Sequence, residues 1–229
     1  VVTGVGDGWY RCSITGTNSA TTSFFINLAV AGTTSYSGDG ASSTYIWGAQ
    51  VEAGAFPTSY IRTTTAAVAR TADNTTMTGT NFSDWYNQAE GTFVVESTSS
   101  GDTSSGSAQQ LISASDGTAA EVIYMQNNGS DQLHPIVTVS SSIVANLTTD
   151  SAMGNNTNRK DAVAYKVNDI AAVADGGTVQ TDTSAAIPTV SQLNIGANYT
   201  AGAQWDGHIS RLMYWPKRLS DSALQSLTS

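Results

Sequence analysis

The sequence has one cysteine, four prolines and only 12% charged residues. A single thiol forms no internal disulfide, so no cross-linked framework holds this chain together. No apolar run approaches the roughly 20 residues that cross a bilayer as a helix. The opening Val1 to Trp9 shows neither the basic region nor the apolar stretch of a signal peptide. Positive charge is also scarce, nine Lys and Arg against eighteen Asp and Glu for a net charge of −9. The densest basic cluster is Lys217-Arg218 with Arg211 nearby. A nucleic-acid binder needs a basic footprint that displaces counterions from phosphates. Nucleic acid and membrane insertion are therefore set aside as partners.

What the chain does have is Ser and Thr at 60 of its 229 positions, with five Trp, nine Tyr and five Phe. That aromatic content argues for a packed core and against disorder. The recurring signal is period-two alternation, the mark of half-buried strands. Tyr10, Cys12 and Ile14 share one face of Trp9–Thr15, which predicts a buried thiol. Phe24, Ile26, Leu28 and Val30 alternate likewise, as do Tyr45, Trp47, Ala49 and Val51, placing Trp47 in a core. Further strands are expected over Thr92–Thr98, Ala108–Ala114, Glu121–Gln126, Ile136–Ser140, Asp161–Val167, Leu193–Ala197 and His208–Trp215. Helix is nearly absent; Ser220 is placed to N-cap one short C-terminal helix with Leu224 and Leu227 on one face. Many short strands punctuated by turns predict an all-β antiparallel sandwich. The segment 63–80 is low in bulky apolar residues and reads as a linker, part of which could lie along a sheet edge. It separates a partial β segment, residues 1–62, from a sandwich over residues 81–229.

Two segments carry a resemblance. Gly8-Trp-Tyr-Arg-Cys-Ser-Ile-Thr15, with Tyr45-Ile-Trp-Gly-Ala-Gln-Val-Glu52 and Phe56-Pro-Thr-Ser-Tyr-Ile61, resembles the end of a repeated bacteriophage virion module. That module occurs in tail and head-fibre proteins and is similar to a carbohydrate-binding-module jelly roll. Glu90–Glu96 through Gly207–Ser220 resembles the concanavalin A-like (laminin-G-like) domain that often follows it. The module normally has more strands before its Gly-Trp-Tyr-Arg motif, so residues 1–62 read as partial. The resemblance implies a jelly-roll fold and a virion-surface, extracellular location. It also implies a fibre or decoration role, other virion proteins as partners, and a homo-oligomer, with a trimer as one form.

Three kinds of function are open to such a chain. An enzyme of this architecture commonly carries carboxylates at alternate positions of one strand. No two acidic residues here are closer than five positions, the nearest pair being Asp116 and Glu121. No catalytic residue is assigned, and a polysaccharide hydrolase or lyase is an alternative. Two histidines and one cysteine, widely spaced, give no zinc pattern. No cofactor is expected, although calcium held by carbonyls and dispersed Asp116, Asp169, Asp175 or Asp206 is compatible with the fold family. Glycan binding fits better, because sugars stack on Trp or Tyr and hydrogen-bond to amides and hydroxyls. The ligand-binding candidates are Trp85 and Tyr86 in a polar stretch before a strand. Tyr199, Trp205 and Asp206 flank the Gly202 turn, and Tyr124 stands with His134 around the Asn127–Ser130 loop. The third kind is a purely structural, trimerising role with no ligand.

Overall fold

The computed structural model describes residues 1–16, 37–41, 43–52, 57–69, 73–99, 108–154 and 157–229. In chain order the elements are β1 (Val2–Gly6), β2 (Trp9–Cys12), β3 (Thr75–Thr78), α1 (Thr80–Ser83), β4 (Glu90–Ser99), β5 (Gln109–Ser115), β6 (Val122–Asn127), β7 (Ile136–Val139) and β8 (Ser142–Asn146). They continue with β9 (Asn158–Lys166), β10 (Ile170–Ala174), β11 (Gln180–Asp182), β12 (Gln192–Ile195), β13 (Gly207–Trp215) and α2 (Asp221–Thr228). The chain divides into two compact units, Val1–Arg70 and Thr71–Ser229.

In the first unit β1 and β2 form an antiparallel hairpin that turns through Asp7-Gly8, both at positive φ. The alternation of Tyr45–Val51 does not produce a strand here, and Trp47 is 74% exposed, its ring 4.8 Å from that of Tyr60. Cys12 is likewise exposed, where the alternation predicted a buried thiol. Period two sorts side chains onto two faces, but burial needs a second layer over one of them. The strand expected over Phe24–Val30 lies outside the described residues.

The second unit is the expected all-β sandwich of two antiparallel sheets. One runs β11-β10-β9-β4-β13 and the other β3-β12-β5-β6-β7-β8. Their facing sides interdigitate Phe93, Val95, Val163, Tyr165 and Ala172 with Ile112, Ile123, Met125, Val137 and Leu193. Within the segment read as a connector, Thr75–Thr78 is an edge strand, paired Met77 to Leu193 and Thr76 to Asn194. Its threonines favour strand, and only Met77 turns inward against the core. Between the expected strands lie three more, β8, the Ala-rich β10 and the three-residue β11; the all-buried Ile-Ala-Ala-Val-Ala of β10 shows no alternation to read.

The five-stranded sheet is covered on its other face too. Val94, Ala162, Ala164, Ala171 and Val173 pack there against Leu224 of α2, with Met213, Trp215 and Leu227 around them. As the sequence predicted, Ser220 caps this helix, its hydroxyl accepting from the Ala223 amide at 3.3 Å. Leu224→Ala is expected to lower stability by about 2–5 kcal/mol through a cavity under the helix, measured by chemical denaturation. A neutral result would show that α2 contributes little to the fold. Within this unit α2 lies on the five-stranded sheet and α1 turns Phe82 into the core, while on the outer face of the six-stranded sheet Ser113 and Asn194 are themselves buried. That asymmetry positions the site.

Candidate functional site

Along β12, the sequence Gln192-Leu-Asn-Ile195 sends Leu193 and Ile195 to the core and Gln192 and Asn194 to the outer face. Asn194 pairs in register with Thr76 on one side and Ser113 on the other, and Ser113 in turn pairs with Tyr124. One transverse row of the outer face therefore reads Thr76, Asn194, Ser113, Tyr124, in which Asn194 and Ser113 are buried, Tyr124 is partly buried and Thr76 is exposed. The polar groups are linked in series. Gln192 Nε2 donates to Asn194 Oδ1 at 3.0 Å, Asn194 Nδ2 to Thr76 Oγ1 at 3.0 Å, and Thr76 Oγ1 to Asn74 Oδ1 at 2.8 Å. Ser113 Oγ is fully buried and has no hydrogen-bond partner among the described residues.

The loop between β12 and β13 builds a wall beside this row. Asn198 Oδ1 accepts from the amides of Thr200 and Gly202 at 2.9 and 2.8 Å and from the Thr200 hydroxyl at 2.8 Å, which closes a tight Asx-type turn. Gln110 then donates its amide to the Ala203 carbonyl at 2.8 Å, tying the loop to β5. The turn presents Tyr199, Thr200 and Ala201 to Asn74, Thr76, Gln192 and Asn194 around an open cleft of about 400 Å³. Its lining offers one half-exposed aromatic ring, three amides and two hydroxyls. Burial first, and then the neighbouring Tyr199 phenol, push the Tyr124 hydroxyl up to about 12, so Tyr124 stays a neutral donor at the flank of the cleft.

Of the residues singled out from sequence, Tyr199 lines the cleft and Tyr124 stands beside it. Trp85 and Tyr86 do not join them. They follow α1 and close one end of the sandwich, where Trp85 meets Tyr214 edge-on at 4.9 Å and Tyr86 stacks on Phe82 at 4.5 Å. Trp85 Nε1 donates to the Asn81 carbonyl at 2.6 Å. Burial raises Tyr86 and Tyr165 far above the ordinary tyrosine range, and the Tyr165 and Tyr214 hydroxyls lie 2.8 Å apart. The stretch is polar in composition, yet its aromatic pair, Trp85 and Tyr86, packs partly buried against the core. Gly91 makes this packing fit, because a Cβ there would stand 2.5 Å from Tyr165 Oη and 2.6 Å from Tyr214 Oη. Gly91→Ala is expected to cost about 1–3 kcal/mol by overpacking, with the near-UV circular dichroism of the tyrosines altered. An unchanged spectrum and stability would refute the close fit.

Trp205 is a second correction. Only 8% exposed, it belongs to the main core cluster and its ring offers no stacking surface. The backbone explains it, since the Trp205 amide donates to Gly196 at 2.9 Å and so returns the chain inward beneath the turn. Asp206 is half-buried at the start of β13, its amide donating to Gln109 Oε1. It is not part of the cleft lining. The aspartates considered as calcium ligands occupy separate turns. Asp116 Oδ1 accepts from Thr118 at 2.8 Å, Asp169 pairs with Arg218 at 2.8 Å, and Asp175 accepts from the Lys160 amide at 2.9 Å. Among the described residues no group of three or more His, Cys, Asp or Glu could hold a metal ion. Sequence reasoning missed Asn74, Thr76, Gln192, Asn194 and Thr200. The alternation in Gln192–Ile195 was a usable signal for two of them; Asn74 and Thr76 sat in a segment read as a linker.

No protein-family model and no curated protein matches the chain. Solved structures do match in fold. The sialidase carbohydrate-binding module of Ruminococcus gnavus, "IT-sialidase CBM40 bound to alpha2,3 sialyllactose", aligns with a TM-score of 0.54 at 16% identity, covering 62% of this chain and 83% of that one. The NanB sialidase of Streptococcus pneumoniae aligns with a TM-score of 0.55 at 12% identity, over 69% of this chain and 27% of that one. A leech intramolecular trans-sialidase aligns with a TM-score of 0.51 at 16% identity, over 62% and 23% respectively. At these identities the likeness establishes a shared β-sandwich fold. The site itself has to be argued from this chain's own residues.

Proposed function

We propose that this chain is a non-catalytic glycan-binding module that holds its ligand in the cleft of Tyr199, Asn194, Gln192 and Thr76. The observation that carries the reading is the pairing of one partly exposed ring with a pre-linked amide and hydroxyl series, anchored on the buried Asn194, on the outer face of the six-stranded sheet. A sugar's apolar face stacks on the phenol ring while its hydroxyls exchange with amides already held in place, which lowers the ordering cost of binding. The similar fold of the R. gnavus module, described as bound to sialyllactose, supports the ligand class. Against catalysis stands the lining, whose seven residues carry amide, hydroxyl, phenol and methyl groups and no carboxylate, imidazole or thiol. Such an open site binds weakly, and display in several copies on a particle raises its avidity. The resemblance to phage fibre modules supports a virion surface as that particle. It also supports other virion proteins as its neighbours.

A screen of the whole chain on an array of glycans and bacterial polysaccharides tests this reading. Saturable binding that persists with a calcium chelator is expected, with every polymer recovered at full length. Shortened polymer would overturn the non-catalytic assignment, and chelator-sensitive binding would bring in a metal. An assembly role is the second reading, favoured by exposed apolar side chains at Val2, Tyr10, Tyr45 and Trp47 of the first unit. A stable trimer by light scattering that binds nothing on the array would put assembly first.

A further inference from the structure

Charge is distributed unequally between the two sheets. The strands of the six-stranded sheet, β3, β12, β5, β6, β7 and β8, contain no Lys, Arg, Asp or Glu. All six cationic side chains of Thr71–Ser229 belong to the other sheet or its exit: Arg159, Lys160 and Lys166 on β9, Arg211 on β13, and Lys217 and Arg218 just after it. Arg159 is buried on Asp161, and Arg218 is paired with Asp169 and Asp221 at 2.8 and 2.7 Å. The whole net charge of −9 falls in this unit, because the three acidic and three basic residues of Val1–Arg70 cancel.

From this placement we infer that the cleft selects uncharged glycans and rejects those bearing sialic acid, sulfate or uronate, a deepening that rests on the glycan reading above. A carboxylate or sulfate leaving water needs a charge-assisted partner, typically the two-pronged guanidinium of Arg. Here it would meet the amides of Asn194 and Gln192 and the hydroxyls of Thr76 and Thr200, inside the field of a strongly acidic unit. Amides and hydroxyls satisfy sugar hydroxyls fully but leave an anion's desolvation uncompensated, and specificity then comes from the cost placed on the wrong ligand. The chain thus shares a sandwich with a module described as bound to sialyllactose while presenting chemistry of the opposite preference. The cation nearest the lining in sequence is Arg70, four positions before Asn74, and it lies outside the described residues.

The test is a binding titration of the full chain against matched oligosaccharide pairs: lactose with α2,3-sialyllactose, and neutral with sulfated or uronate-bearing galactans, glucans and mannans. Binding confined to neutral members is expected, with a Kd that changes less than about twofold up to roughly 0.5 M salt, where exposed charge pairs are screened. That binding is expected to fall in Asn194→Ala. An acidic member that binds as tightly as its neutral partner would overturn the inference while leaving glycan binding intact. If no member of any pair binds, the glycan reading itself fails and this inference falls with it.

Discussion

Replacing Arg159 with methionine is expected to lower the stability of the sandwich by about 3–5 kcal/mol, the cost of leaving a buried charge without its partner. Arg159 and Asp161 stand two apart on β9 and both turn inward, where each is at most 1% exposed. Arg159 Nε lies 2.8 Å from Asp161 Oδ1, Nη1 donates to the Asp131 carbonyl at 2.7 Å, and Nη2 to Asn127 Oδ1 at 2.7 Å. One guanidinium thereby ties β9 of one sheet to β6 and the following loop of the other. Methionine keeps most of the apolar stem and strands the Asp161 carboxylate and Asn127 Oδ1, while the Asp131 carbonyl keeps the Met153 amide at 2.8 Å. Denaturant midpoints would measure the loss, and a change below about 1 kcal/mol would mean that the acceptors find other partners.

The same pair sets a pH dependence. Burial pushes the Asp161 carboxyl up to about 6, with Arg159 pulling it partly back. The folded chain therefore holds this proton more tightly than the unfolded chain does. Each tenfold difference in proton affinity is worth roughly 1.4 kcal/mol, so the associated stability is about 3 kcal/mol. It is complete below about pH 4 and is lost as the pH rises through about 6. In Arg159→Met the opposing charge is gone, so the deficit is expected to be larger at pH 8 than at pH 5. A deficit independent of pH would refute the assignment to Asp161.

Tyr199→Ala is expected to weaken glycan binding 10- to 100-fold, as loss of a single aromatic anchor does, with the melting temperature nearly unchanged because the ring is half-exposed on a turn. Trp205→Ala should behave in the opposite way. Its ring is core, so the expected result is a loss of about 3–5 kcal/mol of stability with affinity retained by the folded fraction. Trp85→Ala is expected to lower stability in the same direction but by less, because that ring is only partly buried against Tyr214. Titration and thermal melts on the three variants separate anchor from packing. Unchanged affinity in Tyr199→Ala would remove the cleft as the site.

The contrast between Tyr199 and Trp205 shows how much of the site was legible. Both flank the Gly202 turn, and nothing in their local sequence says which ring faces out. The decision lies in hydrogen bonds to distant strands, Gly196 to Leu111 and Gln110 to Ala203, which set where the loop turns back inward. Asn194 and Thr76 are 118 positions apart and meet only because β3 and β12 pair at the sheet edge. In the first unit, the alternation of Tyr45–Val51 did not become a strand at all.

By itself the sequence determined the all-β class, most strands of the second unit, the capped C-terminal helix and the scarcity of cations. Period-two patterning, capping and charge are local or additive properties, and a chain carries them wherever its segments come to lie. Only the tertiary structure decided which sheet α2 covers and which aromatic lines the cleft. Those depend on sheet order and register, and they arise from contacts between segments that the sequence holds far apart.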